Sequence, residues 1–297
     1  MRFAVIGLLA LGGLVWAADL NETYKNLKEA FEMKDYAKVK TLSAQTAKEA
    51  QELAKEAQPS DASLTDAWKG RQEFAKEAQT YAEYTLAVSA TQASDPALTI
   101  ELTEALIAQN PKSEQIDTAT AQYLAALGKQ GAAKANAAAS KILVGRPDNE
   151  YALDAVARNW SSPGPALTAA NRLIGVMGRK KKPEGMSDAD WQRTKTEMLG
   201  SAYTSAGVIQ AGQNRYADAD RNLKAALPLV AGNSTMLSYI YYYLGVSNYQ
   251  MGKLTADKSK MIAGAQFTDK AVATGGPMQG QASSNSAIMK REMATGR

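Results

Sequence analysis

Apolar side chains recur at every third or fourth position along nearly the whole chain, and runs of β-branched residues are short. Phe74, Tyr81, Tyr84 and Val88 show the rule, because steps of seven, three and four hold all four on one face of an α-helix. Ala, Leu, Lys, Glu and Gln, which lose little on entering a helix, dominate the composition. An all-α protein follows, and that four-residue face is expected to be a core stripe.

Punctuation divides the pattern. Asp35 is placed to cap a helix that runs to about Ala57 and ends before Pro59-Ser60-Asp61. Asp95-Pro96 reads as a cap followed by a first-turn proline. Asn110-Pro111, Arg146-Pro147-Asp148-Asn149 and Ser161-Ser162-Pro163-Gly164-Pro165 read as turns. Ser187 with Asp190 three residues on resembles a capping box. About ten or eleven helices are expected on this reading. Loops this short make sequence neighbours antiparallel.

The chain holds no histidine and no cysteine in 297 residues. That removes Ser-His and Cys-His nucleophile pairs, thiolate and imidazole metal sites, and disulfides. Any catalysis would rest on carboxylates, lysine or tyrosine. Neither a Gly-x-Ser-x-Gly turn nor a phosphate-binding glycine loop occurs, so neither catalysis nor a cofactor is expected. Asp218-Ala219-Asp220-Arg221-Asn222 has the opening spacing of a calcium loop. Leu223 and Leu229 stand where that loop needs glycine and a bidentate glutamate, and the stretch is helical in pattern, so no metal is expected.

The first seventeen residues read as an export leader. "MRF" is a basic start, "AVIGLLALGGLV" an apolar run too short for the roughly 20 residues of a membrane span, and Val15-Trp16-Ala17 a small-residue cleavage site. The expected mature protein starts at Ala18, crosses no membrane, and resides in the periplasm or outside a bacterial cell. No cysteine follows the leader to take a lipid. Formal charge is +4, or +3 once Arg2 leaves with the leader, too near balance to argue for nucleic acid.

Internal repetition gives the architecture. "YTSAGVIQAGQNRYADADRNLKAAL" places Tyr203, Ala206 and Gly207 on one helix and Tyr216, Ala219, Leu223 and Ala226 on the next. Tyr241, Leu244 and Gly245 recur in the spacing of Tyr203, Ala206 and Gly207, 38 residues downstream. This large–small alternation resembles the tetratricopeptide repeat, whose period is about 34 residues. The second copy carries about seven residues more than that spacing wants, two helical turns, read as a longer second helix or a loop around "TADKSKM". The resemblance implies a right-handed α-solenoid of antiparallel helix pairs over residues 18–275, clearest over 201–275. Residues 276–297 are expected as a capping helix or a tail, with Ala282, Ile288, Met289 and Met293 turned inward in the helical case.

The same resemblance implies a concave groove lined by the first helices of the repeats. On "YIYYYLGVSNYQMGK", residues 239–253, Tyr241, Leu244, Gly245 and Asn248 gather on the packing side. Tyr239, Tyr242, Val246, Tyr249 and Gln250 gather opposite, as an expected open ridge of rings, the alternative being that the extra turns or the C-terminal helix fold back and bury it. Ser201, Thr204 and Val208 supply its small-residue floor in the preceding repeat. Arg179, Lys180, Lys181 and Lys182 form the one basic run, either a contact for an anionic surface or a solvated helix end. The function implied is a scaffold binding a protein or peptide partner in the cell envelope, its oligomeric state open. The alternative is a cell-wall glycan binder using the same tyrosines with Asn233, Asn248 and Gln250.

Overall fold

The structure, a computed structural model, describes residues 19–295, so the leader lies outside the described residues. Among the described residues there are thirteen α-helices, two 3₁₀ turns and no strand. The all-α expectation holds, while the count of ten or eleven helices is corrected upward. The chain divides into two compact units, Met1–Tyr151 and Ala152–Arg297.

The first unit holds α1 (19–32), α2 (Tyr36–Ala54), α3 (Thr65–Gln92), α4 (Pro96–Gln109), α5 (Ile116–Gln130) and α6 (Ala132–Gly145). The Asp35 side chain accepts from Lys38 N–H and starts α2, and Asp95 accepts from Ala97 N–H and starts α4 with Pro96 in its first turn. A single residue, Gly131 at φ 138°, separates α5 from α6. Leu20, Leu27, Val39 and Leu53 are fully enclosed where α1 packs on α2 and α3, each burial favouring the fold by about 1.5–3 kcal/mol. Alanines 50, 75, 78 and 82 keep these helices close, and Ser43 and Thr85 share a 3.0 Å hydrogen bond between α2 and α3.

In the second unit, α7 (Glu150–Ala157), which carries the chain across the boundary, is followed by α8 (Pro163–Arg179), α9 (Asp188–Gly212) and α10 (Tyr216–Ala226). Then come α11 (Ser234–Thr255), α12 (Lys258–Thr274) and α13 (Gln279–Thr295). Ser187 caps α9 by accepting from Asp190 N–H. Asp190 returns the contact to the Ser187 hydroxyl rather than to its backbone, a variant of the capping box. Pro163, Gly164 and Pro165 begin α8 rather than forming the turn before it.

Close approaches fix the register. A Cβ on Gly252 would meet Met261, on Gly264 would meet Tyr249, and on Gly245 would meet Thr268. Position rises on α12 as it falls on α11, so the two are antiparallel. Gly200 against Val230 and Gly207 against Leu223 do the same for α9 and the α10 segment. The extra residues of the second copy lengthen both helices rather than the second alone or a loop: α11 runs ten residues past Gly245 where α9 runs five past Gly207, and α12 runs 17 residues where α10 runs 11.

α13 obeys a different rule. Met278 N–H donates to Ser238 Oγ, Asn285 Nδ2 to Tyr242 Oη, Tyr249 Oη to Glu292 and Lys253 to Glu292, at offsets of 40, 43, 43 and 39 residues. A nearly constant offset makes α13 parallel to α11, with α12 packed against both. Residues 279–295 are thus helix, with Ala282 and Met289 buried and Met293 half-buried. Ile288 is corrected: at 44% exposure it faces solvent, one helical step of about 100° away from Met289.

Candidate functional site

The ridge on α11 does not stand open. Tyr249 is 3% exposed, packed on Ala265 and Met289, and its hydroxyl donates to Glu292 at 2.9 Å. Lys253 completes the clasp, 2.8 Å from the same carboxylate and 5.8 Å above the Tyr249 ring. Burial and the Glu292 charge push the Tyr249 phenol up to about 12. Lys253 and the phenol in turn hold the Glu292 carboxyl below the usual range. Tyr242 is half-buried beneath Asn285 and edge-on to Tyr243, and Val246 and Gln250 are half-buried too. The expected exposure is therefore corrected, because the chain's own α13 supplies the cover.

The floor is also taken. Trp160, from the turn before α8, meets Tyr239 edge-to-face at 5.0 Å and donates to Ser205 at 3.1 Å. Arg158 donates to Ser201 Oγ at 3.1 Å. Ser201, Thr204 and Val208 are all buried, and Thr204 donates to Gly200 O. An indole and a guanidinium of the same unit stand where the groove was expected, Trp160 between Tyr239 and Ser205 and Arg158 on Ser201. Tyr241, expected in the core, is half-buried and stacks on Phe267 at 6.4 Å. Leu244, Gly245 and Asn248 are buried as expected.

The remaining expectations fall as follows. Arg179 ends α8, Lys180, Lys181 and Lys182 follow it in the loop, and Lys182 pairs with Asp188 at the start of α9. Asp218 lies in α10 between Arg215 and Arg221, whose charges hold its carboxyl below the usual range. Asp220 takes Lys224 and Asn248. The near-calcium stretch therefore spends its oxygens on ion pairs, and among the described residues no cluster of three metal-ligating acidic side chains occurs. Among them, too, no helix is long and apolar enough to cross a membrane.

The open aromatic site is in the first unit. A cleft of about 490 Å³ is lined by Tyr24 of α1, by Glu73, Lys76, Glu77, Thr80, Tyr81 and Tyr84 of α3, and by Gln115. Tyr24 stands edge-on to Phe74 and Tyr81, at 5.6 and 5.3 Å, and Tyr84 lies 6.0 Å from Tyr81. Tyr24 Oη donates to Glu77 at 2.9 Å, and burial together with that carboxylate pushes the phenol up to about 12. Tyr81 is raised by burial and by Glu32. Lys28 sets its ammonium 4.0 Å above the Tyr24 ring and 5.6 Å from that of Tyr81. The core stripe of Phe74, Tyr81, Tyr84 and Val88 is corrected here, since Tyr84 is 41% exposed and the other three are half-buried. The signal that marks the site is Tyr24, Lys28 and Phe31, spaced four and three apart on α1 and facing those rings.

Set against protein-family models this chain matches none, and a search of curated proteins finds no match either.

Proposed function

We propose that this chain is an exported scaffold of the tetratricopeptide-repeat kind, which holds a protein or peptide partner in the cell envelope and does no chemistry of its own. The observation that carries the reading is the 39–43-residue offset that sets α13 parallel to α11 across α12. It is the arrangement expected of a first helix opening a further repeat, one turn of a stack begun by α9 and α10. In such a stack α13 covers the α11 ridge as any following repeat would. The partner surface then moves to the α1/α3 cleft, where large amphipathic rings remain in reach of solvent. For a glycan on the α11 ridge the polar partners are already engaged: Asn248 donates to Asp220 and Leu244 O, and Asn233 caps α11.

The test is site-directed photo-crosslinking in intact cells, with a photoreactive phenylalanine at position 84 or at position 249. A discrete polypeptide adduct at 84 and none at 249 is expected. Adducts at neither position overturn the scaffold reading, and an adduct at 249 alone returns the partner to α11. Intact mass of the recovered protein checks export, with a new N-terminus at Ala18 expected.

A further inference from the structure

We propose that the Tyr24–Tyr81–Tyr84 cleft recognises an alkylammonium cation, presented by the partner or free as a small amine. This rests on reading the chain as a binding scaffold and names the chemistry its open site takes.

Three observations converge on a cation. The chain has already put an ammonium on these rings: Lys28 Nζ sits 4.0 Å above Tyr24, within the roughly 6 Å over which an aromatic face attracts positive charge. The next ring outward, Tyr84, is the most exposed of the three, and no cation of the described residues lies over it. Carboxylates outnumber ammoniums around the rings, Glu32, Glu73 and Glu77 against Lys28 and Lys76, and neither Glu73 nor Glu77 has an ion-pair partner among the described residues. Glu32 adds negative charge beside Tyr81.

Shape agrees with charge. Tyr24 and Tyr81 meet at 81° while Tyr81 and Tyr84 are tilted by 33°, so the rings wall a concavity instead of stacking into a flat platform. An ammonium carrying alkyl groups fits such a wall, because it gives up hydration at low cost and presents charge and apolar surface together. A flat neutral ring would need an exposed parallel face, and an anion would meet two glutamates.

The experiment is NMR titration of the full chain carrying ¹³C-labelled tyrosine rings, with choline as probe and its neutral isostere 3,3-dimethylbutan-1-ol as control. Choline is expected to shift the Tyr81 and Tyr84 ring signals saturably, and the isostere is not. Tyr84→Leu and Glu73→Gln, both at solvent-exposed positions, are each expected to weaken choline, the ring substitution by roughly fivefold to thirtyfold. Unchanged melting shows that each variant is folded. Equal binding of the isostere, absence of a saturable shift, or choline affinity untouched by both substitutions overturns the proposal.

A failed choline titration with the position-84 adduct intact removes the cation and leaves the scaffold. Choline binding with no polypeptide adduct at either position makes the cleft a small-amine site and sinks the scaffold reading instead.

Discussion

Two faces of this molecule are built from the same side chain and end in opposite states. On α11, Tyr239, Tyr242 and Tyr249 are covered by Trp160 and α13. On α1 and α3, Tyr24, Tyr81 and Tyr84 wall an open cleft. Each face has one deeply buried tyrosine whose hydroxyl donates to a glutamate at 2.9 Å, Tyr249 to Glu292 and Tyr24 to Glu77. Each also has a lysine above that ring, Lys253 and Lys28. What differs is the glutamate's helix. Glu292 arrives on a helix that brings Met289 and Asn285 with it, whereas Glu77 belongs to α3, which already forms the wall. A tyrosine-rich face is therefore a half-built interface, and whether it is core or site depends on what the chain lays over it afterward.

The sharpest break of this comparison is Tyr249→Ala. Removing an enclosed ring leaves a cavity, takes from Glu292 one of its two partners and loosens α13, which should cost about 3–5 kcal/mol in a chemical denaturation series. A loss under about 1 kcal/mol would show α13 not to be seated on α11. Next in size is Gly264→Ala. The new Cβ would lie 2.6 Å from Tyr249 N and 2.8 Å from Gly245 O, both backbone atoms that move only if α11 and α12 part. A destabilisation of about 1–3 kcal/mol is expected, and an unchanged midpoint would contradict the antiparallel register.

How much of this was legible follows from where the information sits. Helix starts are written locally: Asp35, Asp95 with Pro96, and Ser187 each lie within three residues of the N–H they satisfy. The Gly207/Leu223 contact was legible too, because both residues stand in the repeat pattern, small on one helix and large on the next, whereas the partner of Gly245, Thr268, was not, since the second copy departs from that spacing. The fate of Tyr249 was not, since its partners stand 40 and 43 residues away. They reach it only because Gly275 and Gly276, at φ 74° and 83°, turn the chain back onto Ser238. Tyr84 fails in the converse way. Its spacing with Phe74 and Tyr81 is that of a core face, and periodicity does not report that among the described residues no further helix covers Tyr84.

Alkali compares the two faces on one scale. Tyr249 and Tyr24 both have phenols raised from the ordinary 10 to about 12. A raised phenol stabilises the fold fully below pH 10, and that contribution drains as pH climbs from 10 through 12. Melting temperature should therefore fall across that window, and part of the fall should disappear in Tyr249→Phe and part in Tyr24→Phe. Absorbance at 295 nm should lose its latest-titrating phenols in the same variants. At the acid end the sign reverses: Lys290 and Ser286 hold the Asp269 carboxyl below its ordinary value. That stabilisation is present above about pH 4 and is lost as pH falls further.

The smallest expected effect is the most informative. Tyr84→Ala removes a ring as large as that of Tyr249, yet one that is 41% exposed, that no hydrogen bond holds among the described residues, and whose ring neighbours are Phe31, edge-on, and Tyr81, tilted by 33°. Its loss should move the denaturation midpoint by no more than about 0.5 kcal/mol. A core tyrosine could not be deleted so cheaply, so a null result in stability separates a ring kept for packing from a ring kept for contact. If Tyr84→Ala instead costs about 2 kcal/mol or more, the ring is part of the core, the cleft is closed in solution, and the two tyrosine faces are alike after all.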